Sequence, residues 1–119
     1  MSPRRTNPDY LNGVPELLVL ELLARQPRYG YQLVQAIRDA TDAEIEFGEG
    51  CVYPILHRLE AQGLLQSRRE NVAGRNRVVY RVTQKGLKRR GEAVATWRRV
   101  AGAIESVLQG GSHEKPALA

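Results

Sequence analysis

The chain has little with which to build a covalent or metal-bound scaffold. Its 119 residues include a single cysteine, Cys51. That excludes an internal disulfide and makes a reducing cytoplasm the expected setting. Metal binding needs several ligands at characteristic spacings, and no His or Cys cluster accompanies Cys51, so no metal and no cofactor is expected. Apolar runs are short. The longest, from Leu17 to Leu20, ends at Glu21, far below the ~20 residues that cross a bilayer. No membrane partner is expected. Arg4 and Arg5 have no adjacent apolar block, so no secretion signal is expected either. A Walker loop, a nucleophile elbow and a paired-histidine metalloprotease motif are all missing. The carboxylates Glu44 and Glu46 stand in a polar stretch with nothing to desolvate them. The sequence does not read as an enzyme.

Acidic residues are scarce in one half only. Residues 63–119 hold twelve Lys/Arg against four Glu, whereas residues 1–62 hold six Arg against nine Asp/Glu. The net charge is +5 and the isoelectric point about 9.8. A basic half beside a mildly acidic half is the footprint of a face for nucleic acid, although a solvated basic surface gives the same composition.

Periodicity divides the chain into one small domain of mainly α structure with a β-hairpin. Residues 1–10 read as a flexible arm, in which Arg4 and Arg5 are more readily a solvated tail than a groove contact. A first helix is predicted from Val14 to Arg25, with Pro15 in its first turn, and a second from Gly30 to Ala40. Ile45 and Phe47 alternate with acidic residues as in a short strand. A third helix is predicted from Gly50 to Gln62. Its Val52, Ile55, Leu56 and Leu59 fall on one face, and Gly63 with Leu64 suits a Schellman closure. A hairpin follows, with arms Leu64 to Arg69 and Arg77 to Val82 and a loop Asn71 to Asn76. In its second arm Val78, Tyr80 and Val82 form an apolar face, and Arg77, Val79 and Arg81 the other. Thr83 is the expected N-cap of a last helix, Gln84 to Leu108. Residues 110–119 read as a disordered tail.

The last helix carries an imperfect heptad seam. Leu87, Val94, Ala101 and Leu108 recur every seven residues, with Trp97 and Ile104 at the complementary position and Arg90 interrupting it. So wide a stripe on a terminal helix needs a cover, and a homodimer supplies one. Arg90 is expected to reach water or to pair with Glu92 or Glu105.

Helices two and three have the sequence relation of a helix-turn-helix pair, the second of which lies in the major groove. Opposite its apolar face, the third helix presents Pro54, His57 and Ala61, flanked by Tyr53 and Arg58. Tyr53 is read either as a DNA contact or as a half-buried ring bracing helix two. Gly74-Arg75-Asn76-Arg77 places two guanidinium groups around the hairpin tip, where arginine reaches phosphate or a narrow minor groove.

These residues resemble a known family. Tyr29-Gly30-Tyr31-Gln32-Leu33, the run from Gly50 to Leu65 containing Tyr53-Pro54-Ile55-Leu56-His57-Arg58-Leu59-Glu60, Gly74-Arg75-Asn76-Arg77, and Tyr80-Arg81-Val82-Thr83-Gln84-Lys85-Gly86 are similar to the signature of PadR-type transcriptional regulators. The resemblance covers roughly residues 11–108. It implies a winged helix-turn-helix domain over residues 11–82 and a dimerisation helix over 83–109, the short form with one carboxy-terminal helix. It also implies a cytoplasmic homodimer that binds double-stranded DNA, usually as a repressor on an inverted repeat, and is often released by a small ligand. Tyr53, Pro54, His57, Arg58, Arg75, Asn76 and Arg77 are then the expected DNA-binding residues. Leu87, Val94, Trp97, Ala101, Ile104 and Leu108 are the expected dimer or ligand surface. There Trp97 either packs the dimer or lines a cavity for a planar hydrophobic molecule. A small-molecule sensor and a winged-helix module for protein partners stand as alternatives. The chain departs from the pattern where Gly48, Glu49 and Cys51 replace the hydroxyl residues that often open the third helix.

Overall fold

The computed structural model describes residues 9–110, with side chains from Gly13 onward. Four helices and three strands follow in the order α1 (Asp9–Arg25), β1 (Arg28–Tyr29), α2 (Gly30–Ala40), α3 (Glu49–Ala61), β2 (Leu65–Val72), β3 (Arg75–Val82) and α4 (Gln84–Leu108). The strands form one antiparallel sheet in the order β1-β3-β2. This is the expected mainly α architecture with a small β wing.

The apolar residues explain why the helices assemble. Val19, Leu20, Leu22 and Leu23 of α1 meet Leu33 and Ile37 of α2 and the α3 stripe Val52, Ile55, Leu56 and Leu59 in one buried cluster. Leu64, Leu65 and Tyr80 close it from the base of the hairpin. Each fully buried aliphatic side chain removed from water contributes roughly 1.5–3 kcal/mol, so the α3 stripe alone fixes which side of that helix faces inward.

The end of α3 is closed as expected. Gly63 has φ +80°, the Leu64 amide donates to Leu59 O at 2.9 Å, and the Gly63 amide donates to Glu60 O at 2.9 Å. This is the Schellman pair of bonds, with Leu59 and Leu64 buried beside it. Thr83 caps α4, its Oγ1 accepting from the Gly86 amide at 3.0 Å.

Five details differ from the sequence expectation. Helix α1 begins at Asp9, so Pro15 lies inside it and not in its first turn. Residues 1–8, which hold Arg4 and Arg5, and residues 111–119 of the tail lie outside the described part. Ile45 and Phe47 form no strand. They pack half-buried against the core from the connection between α2 and α3, where the Thr41 hydroxyl donates to Ile37 O at 2.9 Å and accepts from the Ile45 amide at 3.1 Å. The third strand is Arg28–Tyr29, which pairs with Tyr80 and Val79. The hairpin loop is two residues long. Ala73 and Gly74, at φ +52° and +84°, make the turn, and Asn71 Oδ1 accepts from the Gly74 amide at 3.0 Å. Two successive left-handed residues give a turn whose twist matches the strands it joins, so pairing runs out to Val72 and Arg75. Finally, Val78 is exposed and Val79 buried. Val78 lies beyond the reach of the core, whereas Val79 sits opposite Tyr29 of β1, a strand that period-two counting within one arm does not reveal.

Candidate nucleic-acid interface

Burial of the apolar stripe of α3 turns Pro54, His57 and Arg58 to solvent, and all three are exposed. Tyr53 is half-buried, and its ring lies directly against Gly30 at the start of α2. Any side chain at position 30 would occupy the space of that ring. Tyr53 therefore braces α2 against α3. The rings of Tyr53 and His57 are 6.2 Å apart between centroids and tilted by 48°.

Arg58 is not a free side chain. Its Nη2 donates to Glu16 Oε1 of α1 at 3.2 Å. The other oxygen of the same carboxylate accepts from Arg89 Nη1 of α4 at 3.1 Å. Glu16 is 17% exposed, so one sheltered carboxylate joins three helices.

Strand pairing in the wing runs out to its tip. Arg75 and Asn76 are exposed strand residues. Arg77 behaves differently. Its guanidinium lies over the Tyr29 ring at 4.6 Å from the centroid, and its Nε is buried without a hydrogen-bond partner. Arg77 is thus tied to the root of α2 and is not a mobile tip. On β2 and β3, Arg68 and Arg81 flank Glu70. The hydrogen bond from Arg81 holds the Glu70 carboxyl below its usual range, and the charge of Arg68 adds to this. Inside the sheet, burial raises the Tyr80 hydroxyl, and the nearby Glu60 charge adds to that. Tyr80 belongs to the core.

The wing, α3 and α4 are locked together at one junction. Thr83 Oγ1 donates to Gly63 O at 2.7 Å, and Lys85 Nζ to Gln62 O at 2.9 Å. Gly86 is buried there, and a Cβ at that position would collide with the Leu64 carbonyl and the Val82 side chain. The close approach fixes the direction in which α4 leaves the domain.

Along α4 the expected seam is only partly covered in the protomer. Leu87 is 38% exposed, Trp97 39%, Ile104 46% and Leu108 74%, while Val94 and Ala101 are half-buried. Trp97 also lines a cleft of about 390 Å³ between α1 and α4, with Val14, Leu17, Ala93, Glu16 and Arg89. Arg90 takes neither expected partner. Its Nε donates to Glu21 Oε1 of α1 at 2.6 Å, and Arg25 holds the other oxygen. Cross-helix packing brings α1 nearer than any acid on α4 itself. Cys51 is half-buried against the core, and no group of three or more potential metal ligands forms among the described residues. No helix among them is long and apolar enough to cross a membrane.

Sequence reasoning missed Glu16 and Glu21, the two acids that tie α1 to α4. The available signal was a pair of charges, five residues apart, inside an otherwise apolar helix. It missed the close contacts at Gly30 and Gly86 as well, because glycine in a helix carries no mark of what lies against it.

Comparison with known proteins gives a consistent result. The profile of the Transcriptional regulator PadR-like family matches residues 19–92. Transcriptional regulator Rv3488 of Mycobacterium tuberculosis is 45% identical over 64 residues, which are 54% of this chain and 57% of that protein. The chain thus spans little more than half of that relative's length. Among solved structures, a PadR family transcriptional regulator from Eggerthella lenta superposes with a TM-score of 0.70 at 34% identity, covering 85% of this chain and 86% of that one. The PadR-like regulator BC4206 of Bacillus cereus superposes with a TM-score of 0.74 at 28% identity, covering 87% and 99%.

Proposed function

Because this chain belongs to the PadR-like family of transcriptional regulators, we propose that it is a homodimeric repressor that binds an inverted repeat in double-stranded DNA. The observation that carries this reading is the outward face of α3. Pro54, His57 and Arg58 are exposed while Val52, Ile55, Leu56 and Leu59 on the same helix are buried. A major groove admits one helix with such a face. In this reading α3 supplies a base contact through His57 and a phosphate contact through Arg58 on its flank, with Pro54 and Tyr53 shaping the fit. The wing supplies phosphate contacts through Arg75 and Asn76. Arg77, stacked on Tyr29, sets the wing's angle to α2 and offers its remaining N–H groups to the backbone. The unit 11–82 serves as the DNA-binding domain and 83–109 as the dimerisation helix.

The dimer is supported by the partly uncovered seam on α4. Pairing Leu87, Val94, Trp97, Ala101, Ile104 and Leu108 with their symmetry mates hides apolar surface that the protomer leaves in water. A two-fold pair then sets the two α3 helices in successive major grooves, about 34–36 Å apart. The site of action is the cytoplasm.

A mobility shift on the chain's own upstream DNA at two salt concentrations tests the proposal. Arg75→Ala should weaken binding to every sequence and reduce the log–log salt slope by about 0.9, the equivalent of one phosphate contact. An unchanged slope would refute the role of Arg75. No shift at either salt concentration would move the function to protein partners.

One observation favours a second role on the same fold. The cleft beside Trp97 has apolar walls from Val14, Leu17 and Ala93, suited to a flat hydrophobic molecule that releases the repressor. Tryptophan fluorescence titrated with planar aromatic compounds reads this directly. Quenching supports a sensor, and its absence across such compounds leaves a repressor without ligand.

A further inference from the structure

The Glu16 carboxylate holds Arg58 of α3 on one oxygen and Arg89 of α4 on the other, at 3.2 and 3.1 Å. Arg58 is half exposed on the flank of the outward face of α3, and Glu16 and Arg89 both belong to the wall of the Trp97 cleft. We infer that Glu16 is a positioning residue that sets how much of the Arg58 charge is available to DNA, and that it links the cleft to α3. The inference rests on the DNA-binding reading of α3 given above.

The physical basis is competition for one charge. A carboxylate and a DNA phosphate are alternative partners for the same guanidinium. While Glu16 holds Arg58, a phosphate must displace it, and part of the contact energy is lost in the exchange. Arg89 draws the same carboxylate toward α4 and so weakens its hold on Arg58. Whatever turns Arg89 away from Glu16, including a molecule lodged in the cleft, leaves Arg58 as the remaining partner of that carboxylate and tightens the restraint. Cleft occupancy and DNA affinity then oppose each other, and by linkage DNA binding lowers affinity in the cleft by the same factor. No element of this chain has to change its fold for the effect to operate.

The size is modest, because Arg58 is half in water. Pairs of this kind shift an equilibrium by about two- to fivefold. Glu16→Gln should therefore tighten DNA binding by about two- to fivefold and steepen the log–log salt slope by up to about 0.9. Glu16→Asp should fall between the two. In an Arg58→Ala background, Glu16→Gln should change affinity by less than half as much. A merely structural role for Glu16 would lower melting temperature and affinity together and would leave the salt slope alone.

Arg89→Gln probes the link from the other side and leaves the carboxylate with a partner, which keeps the test open even where Glu16→Gln folds poorly. It should weaken DNA binding more in the otherwise intact chain than in the Arg58→Ala background. Equal effects of Glu16→Gln and of Arg89→Gln with and without Arg58 would overturn the inference. A different failure, no loss of DNA affinity on Arg58→Ala and none on Arg75→Ala, would overturn the DNA-binding reading on which it stands.

Discussion

At the start of α4, Thr83 and Lys85 bond to the Gly63 and Gln62 carbonyls that follow α3, and Gly86 lies flush against Leu64. About one turn later, the adjacent Arg89 and Arg90 reach Glu16 and Glu21 of α1. At its other end, Ile104, Val107 and Leu108 are 46%, 74% and 74% exposed among the described residues. The two halves of one 25-residue helix are held by different means. Directional polar bonds and one close backbone approach orient the first half. The second half leaves a stripe of non-directional apolar surface exposed, which a complementary face can cover. A helix built this way is aimed by its own domain, and on the dimer proposed above its free half would be covered by the partner, so that the spacing of the two α3 helices would depend on a shared axis.

That contrast can be broken at its rigid end first. Gly86→Ala forces a methyl group into the Leu64 carbonyl, and overpacking against backbone costs ~2–3 kcal/mol. The expected outcome is the largest fall in thermal stability of any change along α4, read by calorimetry. A loss no greater than that of an exposed helical glycine such as Gly91 would show that the junction is not rigid.

A smaller effect is expected at the α1–α4 ion pairs. Partial burial pushes the Glu21 carboxyl upward, but hydrogen bonds and charge from Arg90 and Arg25 outweigh it and hold the group below its ordinary value of 4.5. A carboxyl depressed on folding adds stability above its unfolded pKa, and that stability is lost as pH falls through the folded value. Glu21→Gln should therefore cost under about 1 kcal/mol at pH 7 and flatten the fall in stability below pH 4.5. Denaturant titrations from pH 3 to pH 7 check this. A wild-type profile as flat as that of the variant would remove Glu21 from the account.

The smallest effect on folding is expected at the free end. Val107→Ser exchanges residues of similar helix propensity at an exposed site, so protomer stability should change by less than about 0.5 kcal/mol. On the dimer proposed here, association should nevertheless weaken, visible by light scattering across a dilution series. Weakened folding with unchanged association would reverse the assignment of the two halves.

Much of this was legible along the chain. The α3 stripe, the Schellman closure at Gly63 and the cap at Thr83 depend on residues within one turn of each other, where spacing and side-chain chemistry are sufficient. The outward placement of Pro54, His57 and Arg58 followed, since a helix with one buried face has only one other. Features joining distant segments were not legible. The strand at Arg28–Tyr29 exists because β3 is there to pair with it. The stacking of Arg77 on Tyr29 turned an expected tip residue into an anchor, and the pairing of Arg90 with Glu21 replaced an expected intrahelical bond.

The sequence alone determined the order of helices, the apolar face of each, the basic wing and the family signature, because all of these are written in local spacing and residue type. Only the tertiary structure decided which charges meet and which glycines must stay bare. Those outcomes depend on segments up to 73 residues apart, such as Glu16 and Arg89. Proximity between such segments is set by how the whole core packs, and no window along the chain contains that information.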